Sequence, residues 1–454
     1  MYSTPIVATM EKKKGIGLVS CVTMIAGGMI GSAIFSLSGM TMYNAGASAI
    51  VSWAIAAVIM LIYGLVCAEL STIFPHSGGV FVFPSKALGK KPRTGALWGW
   101  ISTWGYINAN IVAVAFAAIY VGTYLGAGFK LPGGLQIPLA LVAIALCLFL
   151  NLIKFSTAGK LNNILVGALL ATMLIYVVTA FASGHWESSN LTPFFTQGAG
   201  GATGFLASVP TAMVGYGSIV AIAFMVSEVR DPNKNVPRAV VIAMCIVALI
   251  YALIITATIG LVSAQFLAEN PGMRFIPLYA ACFTSLSKIV WLPKVVSIAA
   301  VLALITTMLV VLALTGRAIQ AAAQSDLLPK PFAKSAKNGT PAFATIVVAV
   351  LAGIISCFPD LTSTIVSFGA LFAAVTISIN IVSLYVARKK HPRVPGNFRA
   401  PGGQVLPAVA LVLIIVCYIP DIISGGWTIW LYTIAWYLVG LLIFRFSKRG
   451  RSAE

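Results

Sequence analysis

The sequence predicts an all-α membrane protein of twelve transmembrane helices. It reads as two inverted sets of five helices plus two extra, with helices 1 and 6 broken. Three observations predict this. Apolar runs of membrane-spanning length recur along the chain. The basic residues between them fall almost entirely on one side. Two glycine clusters interrupt runs 1 and 6 near mid-span.

The composition comes first. Of 454 residues, 59% are hydrophobic and only 9% are charged, with a mean hydropathy of +0.99. A soluble chain carries about 25% charged residues. The net charge of +19 would suit nucleic acid if it were clustered on one surface. It lies instead in short groups between apolar runs, as the positive-inside rule expects, which excludes a nucleic-acid partner. The seven cysteines, from Cys21 to Cys417, are scattered and form no CxxC pair. Neither a disulfide framework nor a metal site follows from them. No cofactor and no enzymatic constellation is indicated.

A helix needs ~20 apolar residues to cross the hydrocarbon core. Twelve spans meet this: 15–39, 46–74, 95–124, 135–153, 160–183, 202–228, 237–263, 293–316, 342–358, 361–386, 404–423 and 427–446. The first has no short apolar core with a small-residue cleavage site, so it reads as a retained helix. With the N-terminus inside, Lys12, Lys13 and Lys14 precede span 1. Lys86, Lys90, Lys91 and Arg93 follow span 2, Lys154 and Lys160 flank spans 4 and 5, and Arg230, Lys234 and Arg238 follow span 6. Arg317, Lys330, Lys334 and Lys337 follow span 8; Arg388, Lys389, Lys390, Arg393 and Arg399 follow span 10; Arg445, Lys448, Arg449 and Arg451 close the chain. These are 25 of the 29 basic residues, and only Lys130, Arg274, Lys288 and Lys294 fall outside. A wrong helix count would scramble the split. Both termini are therefore expected in the cytoplasm, in a multi-pass protein of the cell membrane. The basic clusters suit an anionic inner leaflet. A monomer and a homodimer both remain open.

The expected organisation is a cytoplasmic N-terminus at 1–14, a first repeat at 15–183 and a second at 202–386. Two further helices follow at 404–446, then a cytoplasmic C-terminus at 447–454. None of the ten acidic residues lies near the middle of a span. A proton path built on a deep carboxylate is thus not visible.

Span 1 contains Gly27 to Phe35, reading GGMIGSAIF, and span 6 contains Val214-Gly215-Tyr216-Gly217-Ser218. Glycine weakens a helix, and unpaired backbone inside a membrane must face protein or a cavity. Close packing through small residues is the bland alternative. Matching interruptions in the two halves mark a binding site in transporters. A half-helix N-terminus offers amides to a carboxylate, and a broken C-terminal end offers carbonyls to a cation. Ser32 and the amides of Ala33 and Ile34 are placed to hold a carboxylate. The carbonyls around Gly28 and Met29, and those of Thr211 and Val214, are placed to accept from an amine.

Four motifs resemble the amino acid–polyamine–organocation (APC) superfamily. GGMIGSAIF is similar to GxxIGSGIF. Ala68 to Gly89, AELSTIFPHSGGVFVFPSKALG, is similar to AELxxxxPxSGGxYxYxxxxxG. Glu228 to Ala239, EVRDPNKNVPRA, is similar to EVKNPxRNxPRA. Gly316 to Pro341 is similar to GRxxxAMARDGxLPxxFAKxxxxxTP. FGALFA (Phe368 to Ala373) and the stretch from Asn397 add a weaker fifth.

The resemblance implies a LeuT-like five-plus-five inverted repeat that moves amino acids or amines by alternating access. It places a carboxylate clamp at Gly31, Ser32 and Ala33. Departures matter too. Thr211 stands where arginine–agmatine antiporters carry a tryptophan, and Gly217 where they carry an acid. Leu169 stands where proton-coupled members carry a lysine. The favoured substrate is therefore a neutral or weakly polar amino acid, carried by a secondary active or exchange transporter. The alternatives are a cationic amino acid or amine antiporter, a sodium-coupled symporter using Thr306 and Thr307, and a sensor that binds without transport. Threonines at such positions also bond back to their own helix. Asn108 and Asn110 lie near mid-membrane on different faces, so at most one is expected to line the pocket; Asn108 joins the candidate site. Glu69 and Arg238 are expected to pair as an inner gate or as a local helix-end bridge.

Overall fold

A computed structural model describes residues 15–31, 33–153, 158–337, 339–391, 396–424 and 426–447. The termini at 1–14 and 448–454 lie outside them, as do Lys154, Arg393 and Ser32. Among the described residues the chain is helical, apart from one parallel bridge between Ile16 and Val229.

Helix α1 (Leu18–Met29) ends where Ile30 leaves helical geometry at ψ 86°. A wide turn, Ala33–Leu37, resumes the path and leads into α2 (Ser38–Ala45). Helix α3 (Ala49–Ile73) follows. A short helix, α4 (Gly79–Ala87), lies between spans 2 and 3, outside every expected span. Its residues VFVF are buried and pack on α5 (Pro92–Phe129) and α17 (Thr362–Lys390). Gly78 starts it with φ at +86°, a left-handed conformation that glycine adopts without strain.

The long α5 lies at the centre. Helices α6 (Gln136–Leu152) and α7 (Ala158–Ala182) follow it. Span 6 is broken into α8 (Gly204–Ala207), α9 (Val209–Val214) and, past a bend of 44°, a tight turn Gly217–Val220 running into α10 (Ala221–Phe224). Helix α11 (Pro232–Leu261) opens with proline in its first turn, where the missing N–H costs nothing. Two short helices follow, α12 (Ala264–Glu269) and α13 (Pro277–Thr284).

Helix α14 (Leu292–Gln324) runs two turns past the end expected from hydropathy. The reason is that alanines 318 and 321–323 continue the backbone ladder without interruption. Helices α15 (Lys330–Ala333), α16 (Ala342–Ser356), α17, α18 (Val405–Ser424) and α19 (Gly426–Phe446) complete the chain.

Among the described residues, eight helices are long and apolar enough to cross a membrane, or nine if the bent span 6 counts as one. The broadest packing is between α5 and α14, with α17 also against α5, and α11 against α3 and α1. The outer surface carries exposed apolar side chains such as Leu249, Val412 and Leu431, as a lipid-facing surface does. Helix α19 is held to α5 by a stack of Trp100, Trp104 and Trp436, with centroids 5.1 and 4.6 Å apart. Each indole N–H donates to a carbonyl of the opposite helix: Trp100 to Gly440 at 2.7 Å, Trp104 to Trp436 at 2.7 Å and Trp436 to Trp104 at 3.0 Å. This leaves no buried indole donor of the stack unpaired.

Candidate functional site

The two breaks meet in the centre. A Cβ on Gly28 would lie 2.7 Å from the Cβ of Ser218, so the backbones approach as only glycine permits. One on Gly31 would fall 1.7 Å from Thr307 Oγ1.

Unwinding leaves helix 1 carbonyls without helical donors, and side-chain hydroxyls supply them. Thr306 Oγ1 lies 3.2 Å from the Gly27 carbonyl and 2.9 Å from that of Ala303, so its single proton serves either its own helix or helix 1. Thr307 Oγ1 donates to Gly28 at 3.3 Å. Tyr251 of α11 donates to the Met29 carbonyl at 2.5 Å.

A cavity of about 120 Å³ opens beside these groups. It approaches the ~150 Å³ of a cavity that takes up benzene, so it suits one small molecule. Gly28, Met29 and Ala33 line it from the first break, and Val214, Gly217 and Ser218 from the second. Thr307, Val311 and Leu314 come from α14, Met60 and Tyr63 from α3, and Tyr106, Asn110 and Phe116 from α5. Thr376 and Ile377 of α17 and Tyr418 of α18 close it. Among the described residues, no charged side chain lines this cavity.

Of the other expected residues, Gly31 and Ile34 are buried beside the first break, and Gly215 is packed against the ring of Trp53. Thr211 is half-buried on α9, Thr306 is buried on α14, and neither lines the cavity. Ser32 is outside the described residues. Asn108 turns away from the cavity: its Nδ2 donates to the Tyr432 hydroxyl at 2.8 Å, and Asn110 is the asparagine that lines it. The spacing of two had already put them on different faces.

The expected pair of Glu69 with Arg238 is corrected. Glu69 is paired with Arg388, through Nε at 2.8 Å and Nη2 at 2.6 Å, and also accepts from the Ala400 N–H at 2.8 Å. Arg238 is exposed on the first turns of α11. The last turns of α17 run past the end of α3 and bring Arg388 to the carboxylate. Ser218 was marked only as the end of the second glycine cluster, and Tyr63, Tyr251 and Thr376 were not singled out from the sequence. Those three sit in apolar runs where nothing local marks which face turns inward.

The fold and site define a multi-pass helical membrane protein with a small uncharged cavity between two interrupted helices. The amino acid permease family model matches residues 16–444, and the chain belongs to that family, within the APC superfamily. It is 27% identical over 463 residues to the branched-chain amino acid permease BcaP of Bacillus subtilis, covering 97% of this chain and 94% of the relative. It is 25% identical over 446 residues to the methylthioribose transporter of the same organism, covering 94% and 91%. It is 26% identical over 370 residues to the chloroplastic cationic amino acid transporter 7 of Arabidopsis thaliana, covering 76% and 61%. These names differ in substrate.

Proposed function

We propose that this permease carries neutral, mainly apolar amino acids across the cell membrane by alternating access, as a secondary active or exchange transporter. The uncharged lining of the cavity carries the reading. A buried net charge without a partner is expensive, so a cationic side chain or polyamine is disfavoured there. A zwitterion meets the amides of Ala33 and Ile34 with its carboxylate and the carbonyls near Gly28 and Val214 with its amine. The branched-chain name of the Bacillus relative agrees with that choice.

Twelve spans in a five-plus-five inverted repeat complete the reading, with both termini cytoplasmic and the basic clusters against the anionic leaflet. The 56-residue stretch Leu18–Ile73 would be ~84 Å long as one helix at 1.5 Å per residue, and its interruptions make two crossings of it. The shorter apolar helices Ala342–Ser356 and Val405–Pro420 supply the last two beyond the nine.

The test is a thermal-shift screen of purified protein, followed by uptake into loaded proteoliposomes. Leucine, isoleucine and valine are expected to raise the melting temperature, because a ligand of the folded state stabilises it, whereas putrescine and arginine leave it unchanged. Labelled substrate should enter loaded vesicles. Stabilisation by polyamines alone would overturn the substrate class, and binding without flux would make the protein a sensor.

A further inference from the structure

Both helix breaks converge on one hydroxyl. Tyr251 is fully buried, at 0% exposure. Its oxygen lies 2.5 Å from the Met29 carbonyl of the first break and 3.3 Å from the Gly215 carbonyl of the second. A phenol has one proton, so the shorter contact takes it and the longer arm is available to it. The ring is fixed on two sides. Trp53 meets it edge to face at 4.9 Å, and Tyr216, inside the second break, packs at 5.2 Å. Trp53 is in turn anchored by its indole N–H on Thr41 at 2.9 Å, and Tyr216 directs its hydroxyl to the Trp53 carbonyl at 3.4 Å. The phenol therefore cannot swing away without displacing an aromatic cluster that spans α3, α11 and the second break.

We infer that Tyr251 is a positioning residue that fixes the distance between the two breaks, and with it the part of the site that reads the groups common to all amino acids. This rests on the substrate reading above. Tyr251 does not line the cavity, so it acts through the backbone it holds. Without the hydroxyl, the Met29 carbonyl loses its donor and the second break loses its alternative one. The two interrupted segments then drift independently, and a ligand must restore their spacing when it binds.

The test is Tyr251→Phe, which keeps the ring and its contacts. In the ligand-free protein, hydrogen exchange should rise in peptides covering both breaks, 26–31 and 213–217, and stay unchanged elsewhere. Kd should weaken about tenfold, by a similar factor for leucine, valine and alanine, because the perturbed groups touch what these share. The maximal transport rate should change less than KM. Unchanged exchange at either break overturns the inference whether or not any amino acid binds. A loss of affinity confined to some side chains also overturns it, by placing the tyrosine at the side-chain end. Failure of the wild-type protein to bind any amino acid counts instead against the proposed substrate, and the exchange arm still decides the role of Tyr251.

Discussion

A Cβ added at Gly217 meets nothing within 4 Å, because that position faces the cavity, whereas one at Gly28 would collide with Ser218. The two glycines therefore serve different ends: Gly28 permits close approach and Gly217 keeps space open. Gly217→Ala is expected to bind substrate within about threefold of wild type. Gly217→Leu should abolish the ligand-induced rise in melting temperature while leaving the ligand-free melting temperature in place. Undiminished stabilisation of Gly217→Leu by the same amino acids would remove the cavity as the binding site. The glycines of both breaks were legible in the sequence because glycine interrupts an apolar run conspicuously. The choice of Asn110 over Asn108 was not, because α5 is buried on most of its circumference and hydropathy cannot tell an inward face from any other.

Elements are joined at one end of the molecule by a buried charge pair. Glu69 of α3 and Arg388 of α17 expose 4% and 7% of their side chains. Arg388 also donates to the Gly403 carbonyl, and Asn397 and Thr72 link the same loop to α3 through bonds of 3.2 and 3.4 Å. Breaking one partner of such a pair leaves an uncompensated charge and costs about 3–5 kcal/mol. Glu69→Gln and Arg388→Met should each lower the melting temperature sharply, and the double variant should lose less than the sum. A thermal-unfolding mutant cycle measures the coupling, and strict additivity would show that the pair does not hold these helices together.

This partner was not legible because it lies 319 residues away along the chain, while Arg238 was the nearer basic residue by motif. Helix α4 was missed for a related reason. Hydropathy finds runs that cross a membrane, and a nine-residue apolar helix lying against α5 is too short to register. Most of the long apolar helices were legible, since charge bounds them on the scale that hydropathy resolves; between positions 15 and 68, where no charged residue falls, glycines mark the division.

For the whole molecule, the proposed alternating access requires contacts that open at one end while the other stays shut. At the end proposed above to be cytoplasmic, Arg317 holds Glu228 through bonds of 2.8 and 3.2 Å. Ile16 pairs with the backbone of Glu228 and Arg230 at 2.9 and 3.0 Å, and the Gly78 N–H donates to Phe224 at 2.8 Å. At the other end, Phe275 packs on Tyr120 at 5.4 Å and on the cavity residue Phe116 at 6.3 Å, and Arg274 sits 3.8 Å over Tyr43. The cavity thus lies between these two sets of contacts. On that proposal, opening at this end separates the turn at Ser77–Gly78 from the end of span 6. The hydroxyls of Ser77 and Ser227, 2.5 Å apart, mark that seam, and their proximity suits a disulfide, whose Cβ atoms sit ~3.5–4.5 Å apart. In a background without the exposed Cys245 and Cys357, the variant carrying Ser77→Cys and Ser227→Cys should lose vesicle exchange on oxidation and regain it on reduction. Its ligand-induced thermal shift should persist throughout, because the cavity is left untouched. Exchange at the wild-type rate with the cross-link formed, verified by mass spectrometry, would show that the substrate leaves by a route that does not part this seam.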